Sequence, residues 1–529
     1  MAFTLKNTFE KYRWVTNENI FVTGFTWLAG EYISGESFIK AVSENSASFE
    51  SFKKFAGQLN GQFAIVVFNE TDTWAVCSHI WSYPLFYRFD NDNVYLSDNP
   101  KKLLSDKKEQ ETLSFSKLYF LAFGVTPGNT TLKNGIFQVQ PGEMLRLRQN
   151  NTKSFKIFAN AGQNNTTEKV EIQETELHRL LLDVFEKHYN YLKNKQVLLP
   201  LTRGYDSRLL GCLLKEFGHR DVICATWGRH QSSEQETARK VAGQLEYDHI
   251  FVDYSQEVPD GFSHTKAFES FIGYSGHFSS MPFLQDYFAI RTLKNKKIID
   301  NQTVALPGHP GDFLRGSHLD SKMADNDSGY MISKIIDAFG SSYPLRTNEE
   351  KRIREYISQT FFSQKDELLW RNYEKWDYEE RQCKFIGNST LVFPFFELEF
   401  FMPLFDLKIL RFFQKVPFEQ KLGAKLYNHT LETFFFKKHR VNFDLKPSEN
   451  DGAKFNPFKN NLLKIIPNTI KKWYYPVEDP IFYHEITREL QASEKKFSYK
   501  HPLKPHRYNS YIIQWYLQYV EKLKISLEK

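Results

Sequence analysis

Apolar residues alternate with polar ones, or run together in short stretches, through the first third of the chain. NGQFAIVVFN (60–69) and TWAVCSHI (73–80) are two β-rich stretches, parted by the turn residues Glu70, Thr71 and Asp72. PLFYRF (84–89) and VYLS (94–97) follow, on either side of the turn DNDN. FQVQPGEMLRLR (137–148) predicts two more strands around Pro141 and Gly142. The pattern predicts an antiparallel meander of short strands. NNTKSFKIFANAGQNNTTEK (150–169) is polar and rich in Asn and Thr, which predicts a linker.

Beyond it the period changes. TELHRLLLDVFEKHYNYL (175–192) carries apolar residues at helical spacing. VLLPL (197–201) is a short apolar run, followed by the polar turn Thr202-Arg203-Gly204-Tyr205-Asp206-Ser207-Arg208. Leu209, Leu210, Leu213, Leu214 and Phe217 then mark one face of a helix, with Gly218 placed to end it. VICATW (222–227) and HIFVDY (249–254) are further strands. Between them Ala238, Val241, Ala242 and Leu245 form a second helical stripe, with Ser233 and Glu236 spaced as a capping box. Strand, helix, strand, helix, strand with short connections predicts a doubly wound parallel sheet. Ligands of such sheets bind at the carboxyl ends of the strands, where the polar turn lies. The C-terminal half is mostly helical by pattern.

Composition changes little in this picture. The chain has 529 residues, 41% hydrophobic and 25% charged, as in ordinary globular proteins. That length suggests more than one domain. Aromatics reach 16%, with 49 Phe, and imply thick cores. Net charge is 69 − 63 = +6, too mild to imply nucleic acid, though it suits an anionic ligand. Cys77, Cys212, Cys224 and Cys383 lie far apart without metal spacing and read as reduced core thiols. The start lacks the apolar core of a signal peptide, and LVFPFFELEFFMPLF holds two prolines and two glutamates within 15 residues. We therefore expect a cytoplasmic protein without integral membrane contact.

The turn suits phosphate. It feeds a helix N-terminus, whose unpaired N–H groups and dipole favour an anion. Gly204 permits close approach, and Thr202 and Ser207 supply hydroxyls. Asp206 would repel phosphate unless a Mg²⁺ lies between them. A second loop, TVALPGHPGDFLRGSH (303–318), places Asp312 after Gly308 and Gly311 at another strand end. Asp206 and Asp312 together make a candidate Mg²⁺ pair. Either aspartate also fits a plain helix N-cap.

The motifs resemble those of the asparagine synthetase family. The turn is similar to its pyrophosphatase loop S-G-G-x-D-S, with Thr202 for serine, Arg203 for the first glycine, and Gly204, Asp206 and Ser207 matching. LPGHPGDFLRG resembles its S-G-E-G-A-D-E-L-F-G-G segment, with Gly308, Asp312, Leu314 and Gly316 in register. FMPLFDLKILRFF (401–413) resembles its P-F-L-D segment through Pro403 and Asp406. Lys446, with Asp451 and Gly452, matches K-x-x-x-x-D-G. LNGQFAIVVF, SYPLFYRF and FQVQPGEML are similar to segments of its glutaminase half.

The resemblance implies a fold that is α+β and α/β in two domains. Residues 1–160 would form an antiparallel β-rich, glutaminase-like (αββα) domain. Residues 170–529 would form an ATP-pyrophosphatase synthetase domain with a doubly wound parallel sheet and additional helices. It implies an ATP-dependent ligase that activates a carboxylate as acyl-adenylate and passes it to an amine, with ATP and Mg²⁺ as cofactors. Leu201, Thr202, Arg203, Gly204, Asp206, Ser207 and Gly308 would hold the phosphates, Trp227 and Gly228 would lie near adenine, and Lys446 would neutralise the reacting phosphate.

Departures are equally plain. Position 2 is Ala2 rather than the nucleophilic cysteine, and Arg13 is the one arginine before residue 88. The first half should keep the fold without hydrolysing glutamine, so the amine comes from elsewhere. His309 replaces the family's glutamate, either as a base for the amine or as a packing residue. The partners implied are a small-molecule carboxylate and an amine, in surface-polysaccharide or natural-product biosynthesis. Alternatives are a lactam or peptide macrocyclase of the same family, a degenerate nucleotide-binding or scaffold protein and, more remotely, another pyrophosphatase-loop enzyme. A homodimer is compatible with the sequence, which does not give the oligomeric state.

Overall fold

The computed structural model describes residues 4–90, 93–104, 114–148, 151–157, 172–230, 232–340, 342–363, 368–443, 479, 481–493 and 508–523. It contains three sheets. Strands β1 (Thr4–Thr8), β7 (Phe86–Asp90), β8 (Asn93–Ser97) and β9 (Ile136–Gln138) form one, in the order β1-β8-β7-β9. A second runs β11-β10-β6-β5-β3-β2, with β4 also on β3. Its strands are β2 (Val15–Asn17), β3 (Ile20–Leu28), β4 (Glu31–Ser34), β5 (Asn60–Phe68), β6 (Thr73–Cys77), β10 (Glu143–Arg148) and β11 (Asn151–Lys156). Pairing is antiparallel except between β1 and β8.

The predicted strands are all present, but not as one meander. β5 and β6 belong to one sheet, β7 and β8 to the other. The chain crosses between them through residues 78–85, a buried turn pinned by the Trp81 indole donating to the Val139 carbonyl at 2.7 Å. The predicted linker is corrected in its first part. Asn151–Lys156 is an edge strand paired with β10, Met144 opposite Phe155. Its polarity is that of an edge, with Phe155 packed 5.1 Å from Phe49.

The third sheet is wholly parallel, in the order β14-β13-β12-β15-β16. Its strands are β12 (Val197–Pro200), β13 (Val222–Gly228), β14 (Asp248–Asp253), β15 (Val304–Ala305) and β16 (Glu399–Phe400). Every residue of β13 is buried, as a strand covered on both faces requires. After helices α1 (Gly35–Asn45), α2 (Phe49–Ala56), α3 (Ser114–Phe123) and α4 (Glu174–Leu192), helices α5 (Tyr205–Glu216) and α6 (Ser233–Leu245) connect the first three strands of this sheet and bury their predicted stripes. Gly211 lets them meet, because a Cβ there would lie 2.8 Å from Leu245 Cδ1. Helix α6 is capped one residue earlier than the spacing predicts. Ser232, in extended conformation, accepts from the Gln235 N–H at 3.2 Å, and Ser233 is already helical.

Hydrogen bonds join the antiparallel sheets to the rest. The Asn60 amide donates to Asp406 at 3.0 Å, and its oxygen accepts from the Leu407 N–H at 3.1 Å. The Gln62 amide oxygen accepts from Met402 N–H at 3.1 Å. Thr126 N–H donates to Ser279 O at 2.8 Å, and Leu132 N–H to Phe278 O at 2.7 Å. All four cysteines are free and buried. Among the described residues no helix is long and apolar enough to cross a membrane.

Candidate functional site

Strand order decides where a site belongs. The connections from β12 lead outward through β13 to β14, and β15 returns to the other side of β12. The order therefore reverses between β12 and β15, which pair directly, Val197 with Val304 and Leu198 with Ala305. A crevice opens at such a reversal, at the carboxyl ends of the two strands. The two aspartate-bearing loops leave those two ends, side by side.

Two glycines allow them to touch. A Cβ on Gly308 would lie 3.0 Å from the Ser207 nitrogen and 3.2 Å from Asp206 Cβ. A Cβ on Gly311 would lie 1.9 Å from Asp206 Cγ, so the second loop packs its bare backbone on the Asp206 carboxyl. Neither aspartate is an N-cap. Gly204 holds that position for α5 and Pro310 for the short helix Gly311–Leu314, leaving both carboxylates in the first helical turn.

The first loop is internally knitted. Leu201 is buried, and its carbonyl accepts from the Thr226 hydroxyl at 2.7 Å. Thr202 N–H donates to Ser207 Oγ at 3.0 Å, and Gly204 N–H to Thr202 Oγ1 at 3.1 Å. Arg208 is fully buried and donates to the Phe443 carbonyl at 2.8 Å and the Arg203 carbonyl at 3.0 Å, so it braces the loop from within. Arg203 N–H donates to the Glu234 carboxylate at 3.1 Å. Trp227 is buried at the end of β13, beside Gly228, and its indole bonds to Asp286.

Charge separates the two carboxylates. Burial, then the like charge of Asp312, pushes the Asp206 carboxyl up to about 7, against Arg315 and the Tyr427 hydroxyl, which donates to it at 2.8 Å. Local desolvation disfavours charge on Asp312, although 60% of its side chain is exposed, and the Arg315 guanidinium paired with it, with His318 and Arg381 beyond, holds its carboxyl below the usual value. Burial brings His309 down to about 4, opposed by Asp312 and aided by Arg381, so the imidazole is neutral near pH 7. A pair of like groups driven apart in this way marks a site that a cation would relieve.

The structure thus brings together Leu201, Thr202, Arg203, Gly204, Asp206, Ser207, Gly308, His309 and Asp312, with Trp227 and Gly228 at the same carboxyl edge. Lys446, Asp451 and Gly452 lie outside the described residues. Asp406 is elsewhere: it pairs with Lys187 and caps the helix Leu407–Lys415 through the Lys408 N–H at 2.8 Å. Cys77 is buried in β6, and burial raises its thiol far above the ordinary value. Arg13 is 84% exposed, 3.8 Å from Glu397.

The sequence reading missed Arg315, Glu234, Tyr427 and Arg381. Arg315 was readable, three residues after Asp312. Tyr427 reaches Asp206 across 221 residues and leaves no local signal.

No family model matches the chain. A glutamine-hydrolysing asparagine synthetase of Bacillus subtilis is 24% identical over 284 residues, 51% of this chain and 42% of that protein, so the match spans less than half of the relative. Among solved structures, an NH3-dependent NAD synthetase from Campylobacter jejuni is 11% identical over 35% of this chain and 74% of its own, with a TM-score of 0.20. The glutamine phosphoribosylpyrophosphate amidotransferase of Bacillus subtilis is 12% identical over 62% of this chain and 61% of its own, with a TM-score of 0.17. Likenesses that loose leave the fold to be judged from its own strand order.

Proposed function

We infer that this chain, which is asparagine synthetase-like, is an ATP-dependent ligase that activates a small-molecule carboxylate and joins it to an amine. The carrying observation is the contact of Asp206 with the second loop at the reversal of strand order. Two carboxylates there, one pushed toward neutrality by its neighbour, fit Mg²⁺, a hard cation commonly held by one or two carboxylates together with substrate phosphates. Among the described residues no group of three or more His, Cys, Asp or Glu side chains converges, so the remaining ligands would be phosphate and water. Bound there, the ion would neutralise charge growing on the leaving pyrophosphate.

The chain's own groups do the rest. The Thr202, Gly204 and Ser207 loop cradles the pyrophosphate at the N-terminus of α5, with Leu201, Arg203 and Gly308 around it. Trp227 and Gly228 border the base. Lys446 meets the charge on the α-phosphate as the acyl-adenylate forms. His309, being neutral, suits accepting a proton from the incoming amine. Residues 1–160 act as a glutaminase-like unit that supports residues 170–529 without supplying ammonia, since the one cysteine of that stretch, Cys77, is enclosed.

Pyrophosphate release from MgATP, followed across a panel of carboxylic acids, tests this reading. Release is expected with one class of acid and to vanish in Asp312→Asn. Silence with every acid, together with no nucleotide binding, would show a scaffold. Product mass separates addition of an amine from loss of water in ring closure.

Glu234 gives a sharper expectation. Its carboxylate sits on a loop N–H that a phosphate would use. Glu234→Gln should therefore tighten a non-hydrolysable ATP analogue by about fivefold, the effect of one charge at a few ångströms in a wet site. Titration calorimetry reads this; weaker binding would mean that Glu234 supports the loop.

A further inference from the structure

A cavity of about 460 Å³ opens along the segment Asp377–Ile386, whose Asp377 receives His318 from the end of the second loop. Its walls carry Phe123, Phe283, Phe339, Trp376, Phe385 and Tyr508. Arg381 reaches into it from the π-helical segment Asp377–Ile386. The other charged wall residue, Glu380, is already matched by Lys384 at 2.9 Å and accepts the Gly128 N–H at 3.1 Å. Arg381 is different. Its guanidinium lies 4.8 Å from the Phe339 ring and 3.6 Å from Asp377, a carboxylate that also receives His318 at 2.5 Å and Gln382 at 3.1 Å. Among the described residues Arg381 makes no hydrogen bond, and 75% of its side chain is covered by neighbours, its relative exposure being 25%. A guanidinium held by one ion pair at 3.6 Å beside an aromatic wall still has donors to offer a carboxylate.

The cavity also lies where an activated acid must be. Arg381 pairs with Asp377, whose carboxylate receives His318 at the end of the second loop, and Phe339 of the cavity wall lies 5.1 Å from the His318 ring. On another wall Gln285 adjoins Asp286, the partner of Trp227 at the end of β13. A chamber of this size matches drug-sized ligands, and a short aliphatic acid would leave most of it unfilled.

We propose that this cavity receives the acid, that the acid is a large aromatic carboxylic acid, and that Arg381 binds its carboxylate at the edge of the phosphate site. The proposal rests on the ligase reading for its role in catalysis, but the site can be tested without it.

The probes are 3-phenylpropionate, its uncharged amide and acetate, titrated into the full chain with and without a non-hydrolysable ATP analogue, by calorimetry and tryptophan fluorescence. The phenyl acid should bind at least about tenfold more tightly than the amide, the margin of a charge-assisted contact, and acetate far more weakly than either. Arg381→Gln should erase the margin, and Arg381→Lys should keep part of it. Ala338→Trp, at an exposed position on the rim, should exclude both phenyl compounds while the nucleotide analogue still binds. Equal binding of acid and amide, or a margin that survives Arg381→Gln, overturns the proposal. Nucleotide binding without any acid binding removes this inference and leaves the ligase reading. Acid binding through Arg381 in a chain that never takes nucleotide does the reverse.

Discussion

Asp206→Asn is expected to make the empty protein more stable and the reaction about a hundred- to a thousandfold slower. The two effects come from one cause. In the folded chain the Asp206 carboxyl titrates near 7, raised first by burial and then by Asp312. Between the ordinary carboxylate value and that point, the folded state keeps a proton that the unfolded chain has lost. Stability therefore falls as pH rises through that window. Asparagine has no charge to bury, and its oxygen can still accept from Tyr427. The variant should gain about 1 kcal/mol or more at pH 8, typical of relieving a strained site, and little at pH 4. Asp286, also raised to about 7, contributes equally to both proteins and cancels in the difference. Thermal melts of both proteins at pH 4 and pH 8, with and without MgATP, give the test. A variant less stable at pH 8 would mean that Asp206 is a structural acceptor, and the proposed role would be lost.

Lys384→Met is expected to cost about 3–5 kcal/mol, the usual effect of leaving one member of a buried ion pair unmatched. Lys384 is wholly buried, 2.9 Å from Glu380 on the next turn, and donates to the Gly128 carbonyl at 2.7 Å and the Thr126 carbonyl at 3.3 Å. Burial lowers the lysine and raises the glutamate, and each is opposed by the charge of the other. The double variant Glu380→Gln/Lys384→Met should lose much less, because a neutral pair leaves no buried charge. Urea unfolding of the three proteins measures this. If the double variant is no better than the single one, the carbonyl contacts rather than the ion pair hold the segment.

How much of this could be read beforehand follows from the range of each interaction. Strands β12 to β14 and helices α5 and α6 were legible because their periodicity is local. The meeting of the loops that bear Asp206 and Asp312 was legible because each loop leaves a strand end, and parallel topology brings neighbouring ends together. The split of the meander was not, since it depends on a turn made rigid by Trp81 meeting Val139. The edge strand at 151–156 was hidden by its polar composition. Arg381 was illegible because nothing in DYEERQCKFI announces a π-helical turn, or says which of its charges would be matched.

The bonds of Asn60 and Gln62 carry a last consequence. They tie the antiparallel half to residues 400–407 through a buried Gln62 and a half-buried Asn60. Cutting the chain between the halves would strip these partners and bare an apolar seam on both fragments. Neither piece should then stay dissolved and folded by itself. Selection acting on the parallel-sheet half alone would suffice to keep the other.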